Sequence, residues 1–250
     1  MIILVTFAVE SEFAPWKRRR KFRRIAGELP RFEAEAGRSR IRVILTGMGQ
    51  TYALEAAQRV LPERPDICIS TGLAGALQGG YRPGDILAAR LVSEVGEPVA
   101  VAGHRELLSA AKECGARQIE RFATSPTLVT RADQKRYLGA QAEAVEMESY
   151  VILAEAARCG VPAVAIRAIS DSAEFNIPYD LAKARDARGQ IRWGGVLAQV
   201  VRHPAGLPAL LRLARDCRHA AGQLANFLDA YTGTLRDRLI PIEPDMVVAE

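Results

Sequence analysis

Acidic residues and one arginine stand at the ends of apolar segments that have the composition of buried strands. Glu12, Glu148 and Asp171 each come just after or at the end of such a segment, and Arg167 lies within the last one. In open α/β sheets, small molecules bind beyond the carboxyl ends of the strands, so we expect these side chains to meet in one cleft. Two carboxyl groups facing one substrate are suited to general acid and general base catalysis.

Each of these residues also has a structural interpretation. Glu12 could compensate a helix dipole, Asp171 could cap the segment that follows it, and Arg167 could be a buried ion-pair partner. Glu146 and Glu148 alternate on a strand end, so we expect at most one of them to face the cleft. Only the joint occurrence of these residues favours a functional interpretation.

The elements that must position these residues alternate between strand and helix. This pattern predicts an α/β fold with three α/β/α layers around a mixed, mostly parallel central sheet. The predicted strands are residues 2–8, 41–46, 66–71, 85–92, 120–123, 144–147 and 163–170. The predicted helices are residues 50–61, 105–114, 149–159, 196–201 and 207–231. We expect a single domain over residues 1–250, with a helical C-terminal part at about 192–231 and a tail at 232–250.

Composition excludes several classes of protein. Of the 250 residues, 49% are hydrophobic and 25% are charged, which is ordinary for a globular chain. No apolar segment approaches the roughly 20 residues that span a bilayer, and no signal peptide is recognisable. The four cysteines and three histidines match no metal-binding spacing. We therefore expect a cytoplasmic protein with reduced thiols and no metal.

The net charge of +5 is concentrated in one segment, residues 17–24, which we call the basic patch. Without its seven cations, 27 Lys and Arg remain against 29 Asp and Glu, so the rest of the chain is nearly neutral. A solvated helix face, an anionic membrane contact, and binding of RNA or an acidic partner all fit the patch. Trp16 and Phe22 among the charges suit an interface. Without an aromatic recognition motif, nucleic acid is not expected as a partner.

Three stretches resemble the purine nucleoside phosphorylase superfamily and, within it, the 5′-methylthioadenosine/S-adenosylhomocysteine nucleosidase branch. They are AVESE at 8–12, TGLAG at 71–75, and AVEME at 144–148 followed by RAISD at 167–171. The resemblance covers about residues 1–175. The C-terminal part, including RHP at 202–204 and LPALLRLAR at 207–215, is more similar to the hopanoid-associated members, which act on adenosylhopane.

The resemblance implies a division of roles between two carboxyl groups. Breaking an N-ribosidic bond leaves positive charge on the sugar and negative charge on the base, so an acid is needed at the base and a carboxylate near the sugar. By resemblance, Asp171 protonates the purine at N7, Ser170 orients that carboxyl group, and Glu12 polarises the attacking water. The acid must stay protonated near neutral pH, and an apolar strand end could raise its pKa.

The resemblance also implies a set of substrate-binding residues. Glu148 hydrogen-bonds the ribose hydroxyls, Met147 packs on the sugar, and Arg167 lies close to the nucleophilic water. Gly75 and Thr130 line the base pocket.

The nature of the nucleophile depends on two further positions. The glycines at 47 and 49 could cradle phosphate at a helix N-terminus. However, hexameric phosphorylase relatives have an Arg and a Ser where this chain has Ser70 and Leu73, and the loss of both favours water. The segment 93–103 is shorter than the family's loop, which would leave the 5′ end of the substrate open to a bulky group.

We therefore predict a nucleosidase that hydrolyses the N-ribosidic bond of a 5′-substituted purine nucleoside and releases adenine without a cofactor. The substrate would be of the methylthioadenosine/adenosylhomocysteine or adenosylhopane type. A phosphorolytic purine nucleoside phosphorylase is the alternative within the family. A catalytically silent relative that binds nucleosides or membranes is the alternative from another class. By resemblance we also expect a homo-oligomer, and the basic patch would allow peripheral membrane contact.

Overall fold

The structure is a computed structural model that describes residues 1–37, 39–177 and 204–239, with side chains in the last stretch described over 205–235. Two predicted parts lie outside the described residues. They are the start of the helical C-terminal part, including the helix at 196–201, and residues 240–250 of the predicted tail. Among the described residues, no helix is both long enough and apolar enough to cross a membrane.

The described residues form a mixed sheet with helices on both faces, which confirms the predicted fold class. The strands are β1 (Ile2–Phe7), β2 (Arg23–Ile25), β3 (Arg31–Ala36), β4 (Ser39–Leu45), β5 (Ile67–Ala76), β6 (Ile86–Glu94), β7 (Ala100–Ala102), β8 (Arg117–Thr124), β9 (Ala144–Glu146) and β10 (Ala163–Asp171). The α-helices are α1 (Glu10–Arg19), α2 (Gln50–Val60), α3 (Arg105–Glu113), α4 (Ala132–Leu138), α5 (Ser149–Arg158) and α6 (Leu207–Leu239). Short 3₁₀ turns occupy Leu61–Glu63 and Pro204–Gly206.

The order of strands in the sheet is β10-β6-β8-β9-β5-β1-β4-β3-β2, and β7 pairs with β6. Because β5 also pairs with β10, the strands β5, β10, β6, β8 and β9 close into a ring. Five of the ten strand pairings in the described residues are antiparallel, so the sheet is less parallel than the sequence predicted. Strand β5 reaches Ala76, well beyond its predicted end.

The continuous apolar strands are explained by two hydrophobic cores, one on each face of the sheet. In β1, Ile3 and Val5 enter the core beneath α1, α3 and α6, whereas Leu4 enters the core beneath α2 and α5. Alternate residues of β5 and β10 divide between the cores in the same way. A strand buried on both faces needs apolar residues at every position, and that requirement made these strands recognisable.

Trp16, which precedes the basic patch, belongs to the core, and Phe22 within the patch is partly buried against that core. Trp16 is fully buried, and its ring packs edge-on against Phe22 and Phe13. The patch is also not one helix face, because α1 ends at Arg19 and the chain then enters the edge strand β2. The exposed members of the patch are Arg18, Arg19, Lys21, Arg23 and Arg24.

The last helix, α6, is hydrogen-bonded to α1 and to α3. The Trp16 indole Nε1 donates to Asp229 Oδ1 (2.8 Å), and Arg20 Nε donates to the same oxygen (2.5 Å). On α3, the carbonyl of Leu107 accepts a hydrogen bond from the Tyr231 hydroxyl (2.8 Å). Helix α6 continues to Leu239, beyond the predicted end of the helical part at about 231.

Two glycines give a matched test of backbone packing. A Cβ atom at Gly139, at the end of α4, would lie 2.5 Å from the Leu77 carbonyl oxygen, whereas a Cβ at Gly222, inside α6, meets nothing within 4 Å. We expect Gly139→Ala to lower the free energy of unfolding by about 1–3 kcal/mol. Gly222→Ala should raise it by up to about 1 kcal/mol, because alanine favours helix. Denaturant unfolding followed by circular dichroism measures both, and a stable Gly139→Ala would contradict the close approach of α4 to β5.

Candidate functional site

Arg167 on β10 is the centre of a buried charge cluster. Its side chain is 1% exposed, and Nη2 lies 2.5 Å from Glu146 Oε2 and 3.6 Å from Glu148 Oε2. The same nitrogen lies 2.9 Å from Ser149 Oγ and 3.4 Å from Ser70 Oγ. Arg167 is therefore the buried ion-pair partner that one interpretation of the sequence predicted.

Glycine on β5 makes room for this arginine to meet Glu12. Gly72 stands opposite Arg167 in the strand register and has a φ of +145°, a conformation that favours glycine. A Cβ at this position would lie 3.0 Å from both Arg167 Nη1 and Glu12 Oε2. Any larger residue would push the guanidinium and the carboxylate apart.

Main-chain N–H groups hold Glu12, in the first turn of α1. Leu73 N donates to Oε1 (3.0 Å), and Ala8 N and Val9 N donate to Oε2 (3.2 and 3.4 Å). Burial raises the pKa of Glu12 above its ordinary value, against the opposing effects of Arg167 and these N–H groups. The carboxyl group is thus fixed in position and more basic than an exposed glutamate, which suits a group that accepts a proton.

Glu148 and Met147 come directly after β9 and border the start of α2. Gly49 N donates to Glu148 Oε1 (2.8 Å), and the Met147 methyl carbon lies 3.9 Å from where a Cβ of Gly49 would be. Burial, together with the nearby carboxylates of Glu146 and Glu12, raises the pKa of Glu148 to about 7, although Arg167 opposes the shift. Glu148 therefore changes its charge near neutral pH.

The sequence left open which of Glu146 and Glu148 has a structural role, and in the structure it is Glu146. Its Oε2 accepts hydrogen bonds from the main-chain N–H groups of Glu148 (3.0 Å) and Ser149 (2.7 Å), which begin α5. Burial opposes its ionisation, but Arg167 and the Thr124 hydroxyl together hold the pKa of Glu146 below its ordinary value. Its carboxylate therefore binds both Arg167 and the N-terminus of α5.

Asp171 closes β10 at a bulge. Ile169 pairs with Ala74 and Asp171 with Gly75, so Ser170 is the extra residue that re-aims the strand end. Ser170 Oγ lies 2.5 Å from Asp171 Oδ1 and 3.1 Å from the Ala74 carbonyl oxygen. A Cβ at Gly75 would lie 3.2 Å from Asp171 Oδ2, so the glycine lets the carboxyl group approach the strand.

The surroundings of Asp171 differ from the apolar strand end that the sequence predicted. The ammonium group of Lys135, on α4, is fully buried and donates to Asp171 Oδ2. Asp171 thus forms a buried ion pair instead of lying among apolar side chains alone. Sequence reasoning missed Lys135, because a lysine among polar residues gives the same pattern as an exposed helix face.

Thr130 is the least directly connected of the predicted residues. It lies between β8 and α4, and its carbonyl accepts a hydrogen bond from Ile177 N (2.8 Å). The structure thus joins Thr130 to the segment that follows Asp171 through the main chain.

The two predicted catalytic carboxyl groups both influence the pKa of one neighbouring residue, Cys217. Burial raises the pKa of the Cys217 thiol on α6 to about 12, and the charges of Asp171 and Glu12 contribute in the same direction. Glu12 contacts Leu73 of β5, and Asp171 contacts Gly75 of the same strand. Leu73 and Gly75 are roughly 7 Å apart, at about 3.3 Å per residue. The two groups therefore flank one region at the carboxyl end of the sheet.

The features that bear on a phosphate nucleophile are engaged within the protein. Gly49 N, at the start of α2, already donates to Glu148, and Ser70 Oγ lies 3.0 Å from Ser149 Oγ. Leu73 offers its main-chain N–H to Glu12. Among the described residues, no group of three or more His, Cys, Asp or Glu side chains is placed to hold a metal ion.

Comparison with solved structures finds the same fold in several bacterial proteins. Helicobacter pylori futalosine hydrolase superposes with a TM-score of 0.71 at 18% identity, covering 93% of this chain and 97% of its own. A Neisseria meningitidis 5′-methylthioadenosine/S-adenosylhomocysteine nucleosidase bound to methylthio-immucillin-A gives 0.72 at 21%, covering 94% and 99%. A variant of the H. pylori nucleosidase with 5′-methylthioadenosine in its active site gives 0.70 at 18%, covering 92% and 97%.

Sequence comparison identifies the family. No curated protein matches the chain significantly. The sequence profile of the phosphorylase superfamily, however, matches residues 4–202. Since that match covers most of the sequence, the chain belongs to the phosphorylase superfamily.

Proposed function

We propose that this protein is a nucleosidase that hydrolyses the N-ribosidic bond of a 5′-substituted purine nucleoside and releases adenine. The observation that carries the proposal is the grouping of Glu12 and Glu148 around Arg167, with Asp171 against Gly75, two residues beyond the Leu73 that binds Glu12. A sugar between the first two residues would place its base next to Asp171. The nucleosidases and the futalosine hydrolase that share this fold support the same class of reaction.

In this mechanism, Glu148 accepts hydrogen bonds from the ribose hydroxyls, and Met147 packs against the sugar. Asp171 delivers a proton to N7 as the bond between the sugar C1′ and the base nitrogen breaks, and the electron pair of that bond moves into the purine. Glu12 takes a proton from the water that adds to C1′. Excess negative charge around the sugar stabilises the cationic character that develops there.

Four further residues position these groups. Ser170 holds one oxygen of Asp171, and Arg167 orients Glu12 and Glu148 on the side from which water attacks. Gly75 and Thr130 border the base.

Water is favoured over phosphate as the nucleophile. A phosphate ion needs free N–H donors, and the N–H of Gly49, which the sequence offered as a cradle, donates to Glu148. Neither Ser70 nor Leu73 supplies a free cation or hydroxyl, since the Ser70 hydroxyl is engaged by Ser149.

The 5′ substituent is proposed to be bulky, of the adenosylhopane type. Support comes from the resemblance of residues 202–204 and 207–215 to hopanoid-associated members and from the compact segment between β6 and β7. Strand β6 ends at Glu94 and β7 begins at Ala100, so only residues 95–99 form the connection. A short connection leaves more space for a large substituent than a long covering loop would.

We also propose a cytoplasmic homo-oligomer whose basic patch contacts anionic membranes. Five cations of the patch are exposed, whereas Lys17 and Arg20 are held by Glu10 and Asp229. Anionic lipid attracts surface cations by about 1 kcal/mol each. Membrane contact would bring the enzyme close to a lipid-linked nucleoside.

The reaction is tested by incubating the protein with methylthioadenosine, adenosylhomocysteine, inosine and adenosylhopane, with and without phosphate, and measuring free base. We expect adenine release without phosphate. Glu12→Gln and Asp171→Asn should each lower kcat/KM by about 100- to 10,000-fold. Glu10→Gln is the control on the same helix, since Glu10 is exposed and paired with Lys17. Phosphate-dependent release would assign a phosphorylase, and binding without turnover would assign a silent relative.

The raised pKa of Glu148 predicts a pH-dependent KM. The carboxylate accepts ribose hydroxyls more strongly than the neutral acid does, so affinity should fall as pH drops through about 7. We expect KM to rise by up to about tenfold between pH 8 and pH 6 in the wild type. In Glu148→Gln, KM should be higher and independent of pH over this range, while the control Glu106→Gln, at an exposed position of α3, keeps the wild-type profile. An unchanged profile in Glu148→Gln would exclude this role.

Membrane contact is tested by sedimentation with liposomes. The triple variant Arg18→Gln, Arg23→Gln and Arg24→Gln should bind anionic vesicles roughly 100-fold more weakly than the wild type. A control triple variant replaces exposed cations elsewhere, at Arg59, Arg136 and Arg218. Equal binding to neutral vesicles, or equal loss in both triple variants, would argue against a specific patch.

A further inference from the structure

A fully buried lysine stands directly behind Asp171. Lys135 Nζ donates to Asp171 Oδ2, to the Ser172 carbonyl oxygen (2.8 Å) and to the Phe175 carbonyl oxygen (3.0 Å). All three protons of the ammonium group therefore have acceptors. The side chain has no exposed surface.

The position of this ammonium group is fixed by the segment that follows Asp171. Ala132 N, at the start of α4, donates to Asn176 Oδ1 (2.8 Å), and Ile177 N donates to the Thr130 carbonyl (2.8 Å). The start of α4 is thus linked to residues 172–177, the same segment whose carbonyl groups accept from Lys135.

Stability alone does not account for a charged group at this position. Removing an ammonium ion from water is costly, and a well-packed apolar side chain of similar volume is often at least as stabilising as a buried ion pair. Lysine differs from such a residue in carrying a proton that it can transfer. That proton lies one hydrogen bond from the carboxyl group on which the proposed reaction depends.

We propose that Lys135 is the proton source behind Asp171, a positioning residue that acts through that carboxyl group. The inference rests on the proposed nucleosidase function. In the resting site the pair is an ammonium and a carboxylate. As the C1′–N9 bond breaks, the ammonium gives one proton to Asp171, and Asp171 gives one to purine N7. The bonding electron pair stays with the purine, Lys135 becomes a neutral amine, and solvent returns its proton after the base leaves.

The relay resolves a difficulty in the acid role of Asp171. The sequence predicted an acid among apolar residues, whereas the structure places an ammonium group against Asp171. With Lys135 as the store, the proton is present in the pair even while the carboxyl group itself is ionised. Other ionisable groups on this side come from α6: Arg212 and Asp216 border the same cavity as Asp171, and Cys217 responds to its charge.

The test compares Lys135→Arg with Lys135→Met. Arginine keeps the positive charge and the ion pair but does not release its proton in proteins, whereas methionine removes both. If Lys135 is the proton source, both variants should lose about 100-fold or more in kcat at pH 7, while KM changes less than about threefold. The alkaline limb of the kcat profile should also move to lower pH in Lys135→Met. Lys112→Met, at an exposed lysine of α3, should behave as the wild type.

The possible negative results of this experiment lead to different conclusions. If Lys135→Arg restores wild-type kcat, the lysine is only a structural counter-ion and the relay is wrong. An unchanged pH profile in a folded Lys135→Met would also overturn it. If Lys135→Met does not fold, Lys135→Arg decides alone, because it retains the charge. If the wild type releases no base from any nucleoside, the proposed function itself fails.

Discussion

The site depends on one buried guanidinium group. Arg167 lies between the two hydrophobic cores, where an unpaired cation would be strongly unfavourable, and three nearby glutamates from two parts of the chain compensate its charge. Glu146 binds the N–H groups at the start of α5, Glu148 binds the start of α2, and Glu12 lies in the first turn of α1. Arg167 therefore holds three helices in register at the carboxyl end of the sheet. Positions of the candidate catalytic groups are a consequence of satisfying this one charge.

The cluster carries more negative than positive charge, and that imbalance has a chemical meaning. Three carboxyl groups lie near one cation; burial raises the pKa values of Glu12 and Glu148 above their ordinary values, and the neighbouring carboxylates add to the shift of Glu148. A site of this kind attracts a substrate that becomes positive during reaction. Asp171, in contrast, has its own cation in Lys135 and lies outside this imbalance. The proposed base and the proposed acid are thus separated electrostatically as well as in space.

The parts of the fold that the sequence predicted are those with two-sided burial or strong periodicity. Strands β1, β5 and β10 were recognisable because nearly every residue in them faces a core. Strand β3, next to the edge strand β2, was missed although its buried residues alternate with polar ones, a period-two pattern that was visible in the sequence. Helix α4 was missed for a different reason. It is only seven residues long, and its one buried residue is a lysine whose partner lies 36 residues away, which no local pattern reveals.

The bond between Asp229 and the first helix also affects when the site is assembled during synthesis. Trp16 and Arg20, on and just after the helix that carries Glu12, share one carboxylate oxygen more than 200 residues later in the chain. A ribosome therefore makes the helix that carries Glu12 more than 200 residues before the residue that anchors it. During synthesis this helix lacks its anchor until Asp229 on α6 has emerged.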